Sequence, residues 1–153
     1  MYNPEWEKMM DPENELPFKL EQWVDLAPFE RMLGMRIEQA GNGEAVLTMP
    51  FAIKLAQGMG LLHGGALTSL ADTSSAMAIK TLLPENTHFA TVNLETRFLA
   101  PVRKGVVTAR ARAAAIPGQK RSYRAEVNVE DSSGSLVAVF TSNFKVARDS
   151  AVR

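Results

Sequence analysis

The chain has 153 residues, of which 46% are hydrophobic and 22% charged, with no cysteine and two histidines. Such a length gives one domain that buries about 70% of its unfolded surface, and the composition excludes intrinsic disorder, a disulfide framework, a thiolate nucleophile and a cysteine-ligated zinc. Net charge is zero, yet residues 1–30 hold eight acids against two lysines, while the span from Arg97 to Arg124 holds eight basic residues and no acid.

The first 19 residues, rich in proline and acid, read as an irregular acidic extension, followed by one folded domain over 20–148 and a short tail over 149–153. No basic segment followed by an apolar stretch opens the chain, and no apolar run reaches the ~20 residues of a membrane span, so the expectation is a soluble cytoplasmic protein without a membrane partner. Asp25 is placed to cap a short helix over residues 26–33, with Phe29, Met32 and Leu33 at i, i+3 and i+4 covering an edge of the core and Gly34 ending it. Residues 35–40 and 44–51 alternate around Gly41-Asn42-Gly43, the signature of a β-hairpin with a tight turn.

After a loop with Gln57, Gly58 and Gly60 comes the one long helical pattern, from Gly64 to Leu83 and stopped by Pro84. The period then changes to two. In residues 89–101, Ala90, Val92, Leu94 and Phe98 fall on one face and Thr91, Asn93, Glu95 and Arg97 on the other. Residues 105–116 and 122–131 continue the alternation. Leu136, Ala138, Phe140, Ser142, Phe144 and Val146 share a face of the last strand, beyond a turn at Ser132-Ser133-Gly134. The order predicts an α+β fold, an antiparallel sheet wrapped around one long central helix.

The chemistry-bearing segment is residues 57–79. On the long helix Leu67, Leu70 and Met77 form the core stripe, and Asp72 lies among Gly65, Thr68, Ser69, Ser75, Ala76 and Ile79, a face small enough for another surface to approach. Solvated faces normally carry lysine and glutamate instead. The glycines after His63 present free N–H groups at the positive end of the helix dipole, suited to a carbonyl oxygen that becomes an oxyanion. Asp72 lies nine residues from His63, about 13 Å along the axis and half a revolution round it, so one chain does not bring both to one carbonyl. Two antiparallel helices in a two-fold dimer would, with Asp72 of each chain opposite Gly64 of the other.

The pattern His63-Gly64-Gly65-x-x-x-x-Leu70-Ala71-Asp72, followed by Phe98-Leu99-Ala100-Pro101-Val102-Arg103-Lys104-Gly105, resembles the PaaI-like branch of hotdog-fold acyl-CoA thioesterases. The likeness runs from about Leu26 to Val146, with Leu33-Gly34-Met35 entering the first strand and an Asp-x-x-Gly turn near the end. The resemblance implies a hotdog fold, dimers that pair again into tetramers, and hydrolysis of acyl-CoA without metal or cofactor, coenzyme A being part of the substrate. In that scheme Asp72 is nucleophile or general base, the Gly64 N–H polarises the thioester carbonyl, and His63 fixes the loop. Gln57 positions water or carboxylate, Thr91 is a second water ligand, and Gly65 lies against the substrate.

Given a coenzyme A substrate, Arg103, Lys104, Lys120 and Arg121, in or beside turns, are candidates for its phosphates. The apolar loop over 51–62 points to a medium- or long-chain fatty acyl or aryl group. Three rival functions have weaker signatures: a non-catalytic acyl-CoA-binding protein, a hotdog hydratase or dehydratase, whose motif spacing is missing, and nucleic-acid binding by the basic span. The last would have only Phe98 and Tyr123 as aromatics, both assigned to core-facing positions, so no nucleic-acid partner is expected.

Overall fold

The computed structural model describes residues 18–148; most of the acidic extension, residues 1–17, and the tail over 149–153 lie outside the described residues. Helix α1 (Pro28–Met32) is shorter than its sequence pattern, because Pro28 sets the first helical position and Ala27 occupies the N-cap. Asp25 does not cap it. Its Oδ1 instead accepts from the Leu26 N–H at 2.7 Å and from Arg31 Nη2 at 2.9 Å. Nor does α1 cover the core through the expected stripe: Phe29 and Met32 are exposed, and only Leu33, just past the helix, is buried.

Strands β1 (Arg36–Gly41) and β2 (Glu44–Pro50) form the predicted hairpin, with Asn42 and Gly43 at φ +52° and +79°. Those two positive values define the type I′ turn that matches strand twist. Gly43 is also required by space, since a Cβ there would lie 2.8 Å from the Ala113 carbonyl oxygen.

Helix α2 (Gly64–Lys80) ends three residues before Leu83. The Thr81 hydroxyl donates to Ala78 O and accepts from the Gly43 N–H, which closes the last turn early and ties the helix to the hairpin. Strands β3 (Phe89–Phe98), β4 (Val106–Ala115), β5 (Ser122–Glu130) and β6 (Leu136–Val146) complete one antiparallel sheet in the order β1-β2-β4-β5-β6-β3. The sheet's inner face wraps α2. Leu47, Met49, Val107, Val127, Phe140 and Phe144 close on Leu70, Ala71 and Ile79, and the alanines of β4 at 109, 111 and 113 let the helix come close.

Strand faces follow the predicted alternation in β4, β5 and most of β6, although Leu136 is exposed at its start. Strand β3 does not. The register steps between Thr91, opposite Phe144, and Asn93, opposite Asn143, so Val92 is a bulge residue. Thr91 therefore faces α2 on the same side as Leu94, Thr96 and Phe98, whereas Asn93, Glu95 and Arg97 face away. A period-two pattern cannot reveal one inserted residue. Phe98 is also 56% exposed rather than core, and Tyr123 is half-buried.

The basic span is mostly a solvated sheet face. Arg110 pairs with Glu130, Arg112 with Glu44 and Arg124 with Glu126 on the outer side. Among the described residues no helix is long and apolar enough to cross a membrane, and no group of three His, Asp or Glu side chains could hold a metal.

Candidate active site

His63 starts the site by capping α2 with its own ring: Nδ1 accepts from the Gly65 N–H at 2.8 Å. A Cβ on Gly65 would meet that nitrogen at 2.9 Å, so glycine is what allows the ring to fold back. This cap uses the Gly65 donor and leaves the Gly64 N–H, at the first helical position, pointing out of the helix start. The loop before it is braced by His63 N–H to Leu55 O and Leu62 N–H to Val102 O, both at 2.8 Å.

Gln57 and Gly64 line one open cleft of about 350 Å³, walled by Leu61, Leu67, Phe98, Leu99 and Val102. The Gln57 Oε1 accepts from the Met59 N–H of its own loop, which leaves the amide nitrogen to donate. The Phe98 ring lies directly on Gly64, where a Cβ would stand 3.0 Å from its Cζ. Phe98 was missed as a site residue because its apolar, alternating position reads as core; the bulge and the edge position of β3 expose it.

Asp72 is not in this cleft. Eight residues further along α2 than Gly64, about 12 Å, it lies on a half-buried strip with Thr68, Ser69 and Ala76. That strip is narrower than the predicted small-residue face, because Ser75 and Ile79 turn fully into the core. The Thr91 hydroxyl donates to Asp72 Oδ1 at 2.9 Å, and one turn back Thr96 and Thr68 share a hydrogen bond at 3.0 Å. Burial pushes the Asp72 carboxyl above the ordinary aspartate range; the Thr91 hydrogen bond opposes this, and the Glu30 charge adds to it. An Asp72 that must be ionised to act gives activity that rises with pH through its titration. Thr91→Val, which removes the bond to the charged form, is expected to move that acidic limb of kcat/KM to higher pH.

The four phosphate candidates are not brought together. Arg103 and Lys104 are exposed on the loop that follows Val102 at the cleft. Lys120 and Arg121 lie past the other end of β4, whose ten residues span about 30 Å. Arg121 adopts φ +59° and its Nη1 donates to the Val146 carbonyl at 2.7 Å, a bond that shapes its own turn.

Comparison with known proteins shows the family and the fold. Residues 59–138, which include Gly64, Asp72, Thr91 and Phe98, match the thioesterase superfamily. A Halobacterium salinarum protein with an esterase name is 30% identical over 141 residues, covering 85% of this chain and 91% of the relative. The 1,4-dihydroxy-2-naphthoyl-CoA hydrolase of Listeria monocytogenes is 27% identical, over 72% of this chain and 88% of its own. Among solved structures, the phenylacetic acid degradation protein PaaI of Thermus thermophilus superposes with a TM-score of 0.70 at 28% identity, covering 78% of this chain and 98% of that one. A Haemophilus influenzae thioesterase gives 0.71 at 27%, covering 78% and 82%.

Proposed function

The chain belongs to the thioesterase superfamily, and from that membership we propose that it hydrolyses aryl- or medium-to-long-chain acyl-CoA at sites composed from two copies of the chain. The observation that carries this reading is the division of the chemical groups within one protomer. Gly64 and Gln57 share a cleft, while Asp72 with Thr91 stands about 12 Å further along the same helix. A second α2 running antiparallel on the strip of Thr68, Ser69, Asp72 and Ala76 brings each Asp72 to the other chain's Gly64. The outer edge of the sheet favours such pairing: β3 is an edge strand and exposes Val92 and Leu94 at 43% and 45%. Pairing of two dimers into a tetramer belongs to the same proposal.

In this site the thioester carbonyl accepts from the Gly64 N–H, which stabilises the charge that develops on its oxygen. The Asp72 carboxylate either takes a proton from the attacking water or attacks the carbonyl itself, and the thiolate of coenzyme A leaves. Thr91 orients the carboxylate, and the Gln57 amide holds water or the acyl product. Arg103 and Lys104, exposed beside the cleft, meet the phosphates of coenzyme A, with Lys120 offered from the far end of a second copy.

The apolar wall of Leu61, Leu67, Phe98 and Leu99 favours an acyl group larger than acetyl. Two relatives support the aryl class by name, one a naphthoyl-CoA hydrolase and one a phenylacetic acid degradation protein. Thiol release from acetyl-, hexanoyl-, octanoyl-, palmitoyl-, phenylacetyl- and hydroxybenzoyl-CoA tests the proposal. Turnover is expected to be greatest on the aryl or longer acyl groups; faster hydrolysis of acetyl-CoA than of octanoyl- and phenylacetyl-CoA overturns the substrate class.

A further inference from the structure

Strand β3 is fastened to α2 at matched points, and the last of them is an aromatic ring. The Thr91 hydroxyl meets Asp72, Thr96 shares a hydrogen bond with Thr68 at 3.0 Å, and Phe98 lies on Gly64. Gly64, Thr68 and Asp72 follow one another at i, i+4 and i+8 of the helix, so the strand runs back along it and delivers Phe98 to the helix start. The strand end is also tied on its other side. Phe98 pairs with Ala138, and the Leu99 and Ala100 N–H groups both donate to Val137 O, at 2.8 and 3.2 Å. The backbone thus sets where the ring stands.

Gly64 is fitted to this ring. Glycine weakens a helix relative to alanine, and Gly64 has a helical backbone that alanine also adopts. The nearest atoms an added Cβ would meet belong to Phe98, at 3.0 Å from Cζ and 3.2 Å from Cε1. The far edge of the ring therefore rests on the residue whose N–H is free for a thioester carbonyl. The ring is nevertheless 56% exposed, and it lines the open cleft with Leu61, Leu67 and Leu99. Polar donors at Gly64 and Gln57 and apolar walls in one cleft suit a ligand with a carbonyl at one point and an apolar body beside it.

We propose that Phe98 is a specificity-determining residue for the acyl group, its ring forming the platform on which the atoms next to the carbonyl lie. The inference rests on the reading that Gly64 holds the thioester carbonyl. A carbonyl at Gly64 has two substituents. Residues 99–102 lead from Phe98 to the exposed Arg103 and Lys104, so the coenzyme A arm runs out along them and the acyl group leaves the other way. The part of the acyl group within reach of the ring is then the part nearest the carbonyl. A planar ring one or two atoms from the carbonyl gains an offset-stacked or edge contact with Phe98 beyond the burial of its area, whereas a straight alkyl chain gains burial alone.

The test compares wild type with Phe98→Leu, which keeps apolar bulk and removes the ring, and Phe98→Tyr, which keeps the ring. In Phe98→Leu the ratio of kcat/KM for phenylacetyl- and hydroxybenzoyl-CoA to that for octanoyl-CoA is expected to fall by roughly 2- to 13-fold, and in Phe98→Tyr to stay near wild type. Calorimetry with S-phenacyl-CoA and S-(2-oxononyl)-CoA, in which a methylene separates sulfur from carbonyl, reads the same preference without turnover. The ratio of their Kd values is expected to change by a similar factor. An equal loss on every thioester, with the Kd ratio unchanged, overturns the proposal, because the ring then meets the coenzyme A arm common to all of them. An unchanged ratio together with a smaller species in size-exclusion chromatography overturns it too, the ring then being covered by a second copy of the chain. If Asp72→Asn keeps wild-type turnover, the catalytic reading falls, and the Kd ratio alone decides the role of Phe98.

Discussion

Asp72→Asn is expected to lower kcat by about 10²- to 10⁴-fold, the usual worth of a positioned acid or base, while raising the melting temperature at neutral pH. The two effects have one cause. The fold holds the Asp72 carboxyl largely out of water, with Glu30 nearby, and only the Thr91 hydroxyl favours its charged form. A carboxyl whose titration is raised on folding binds its proton more tightly in the folded chain than in the unfolded one, so stability falls as pH rises through that range. At neutral pH the ionised group therefore destabilises the fold, and an asparagine, which still accepts from Thr91, relieves the strain. Thiol release with the best acyl-CoA of the panel, beside a thermal melt at pH 5 and pH 8, checks both. The melting difference between variant and wild type is expected to be larger at pH 8. Loss of turnover accompanied by a lower melting temperature at both pH values would mean that the substitution damages the fold and would leave the catalytic role unsupported.

What could be read in the sequence follows from where periodicity is strong. The central helix, the hairpin at Asn42-Gly43 and the inner faces of β4 and β5 are set by uninterrupted patterns and by turn residues with one conformational solution. The His63-Gly64-Gly65 entry and the Asp72 carboxylate stand out in the sequence because glycines at a helix start and a carboxylate among small residues are improbable on an ordinary solvated face, whereas the capping of α2 by the His63 ring is seen only in the structure. The misplaced residues share another origin. The bulge at Val92 reverses the faces of β3 up to Thr91, so Thr91 reaches Asp72 from a position that strict alternation assigns to the opposite side. The place of Phe98 at the cleft was invisible for a related reason: it depends on which element lies beside it, an edge strand against the start of α2. Asp25 shows the same limit at short range, since its cap pattern yields to Pro28, which moves the helix start two residues on.

Gly64→Pro, mixed with Asp72→Asn, offers the sharpest test of a composite site. Proline at the first helical position deletes one N–H and little else: the helix does not use that donor, and His63, at φ −62° and ψ +133°, already has the backbone that a residue before proline adopts. The ring needs room that Phe98 now fills, and Phe98, more than half exposed, can turn away into solvent. Loss of one oxyanion donor is expected to cost about 2.7–4 kcal/mol in the transition state, or roughly 10²- to 10³-fold in kcat. Each variant alone is therefore nearly inactive. When the two are unfolded together in equal amounts and refolded, each site draws Asp72 from one chain and Gly64 from another. About a quarter of the sites then receive both intact groups, and turnover is expected to recover to about a quarter of wild type. Refolded separately and mixed afterwards, the variants stay inactive until subunits exchange. If Asp72 and Gly64 served one carbonyl within a single chain, no mixture could assemble an intact site, and the refolded mixture would remain as inactive as its parts.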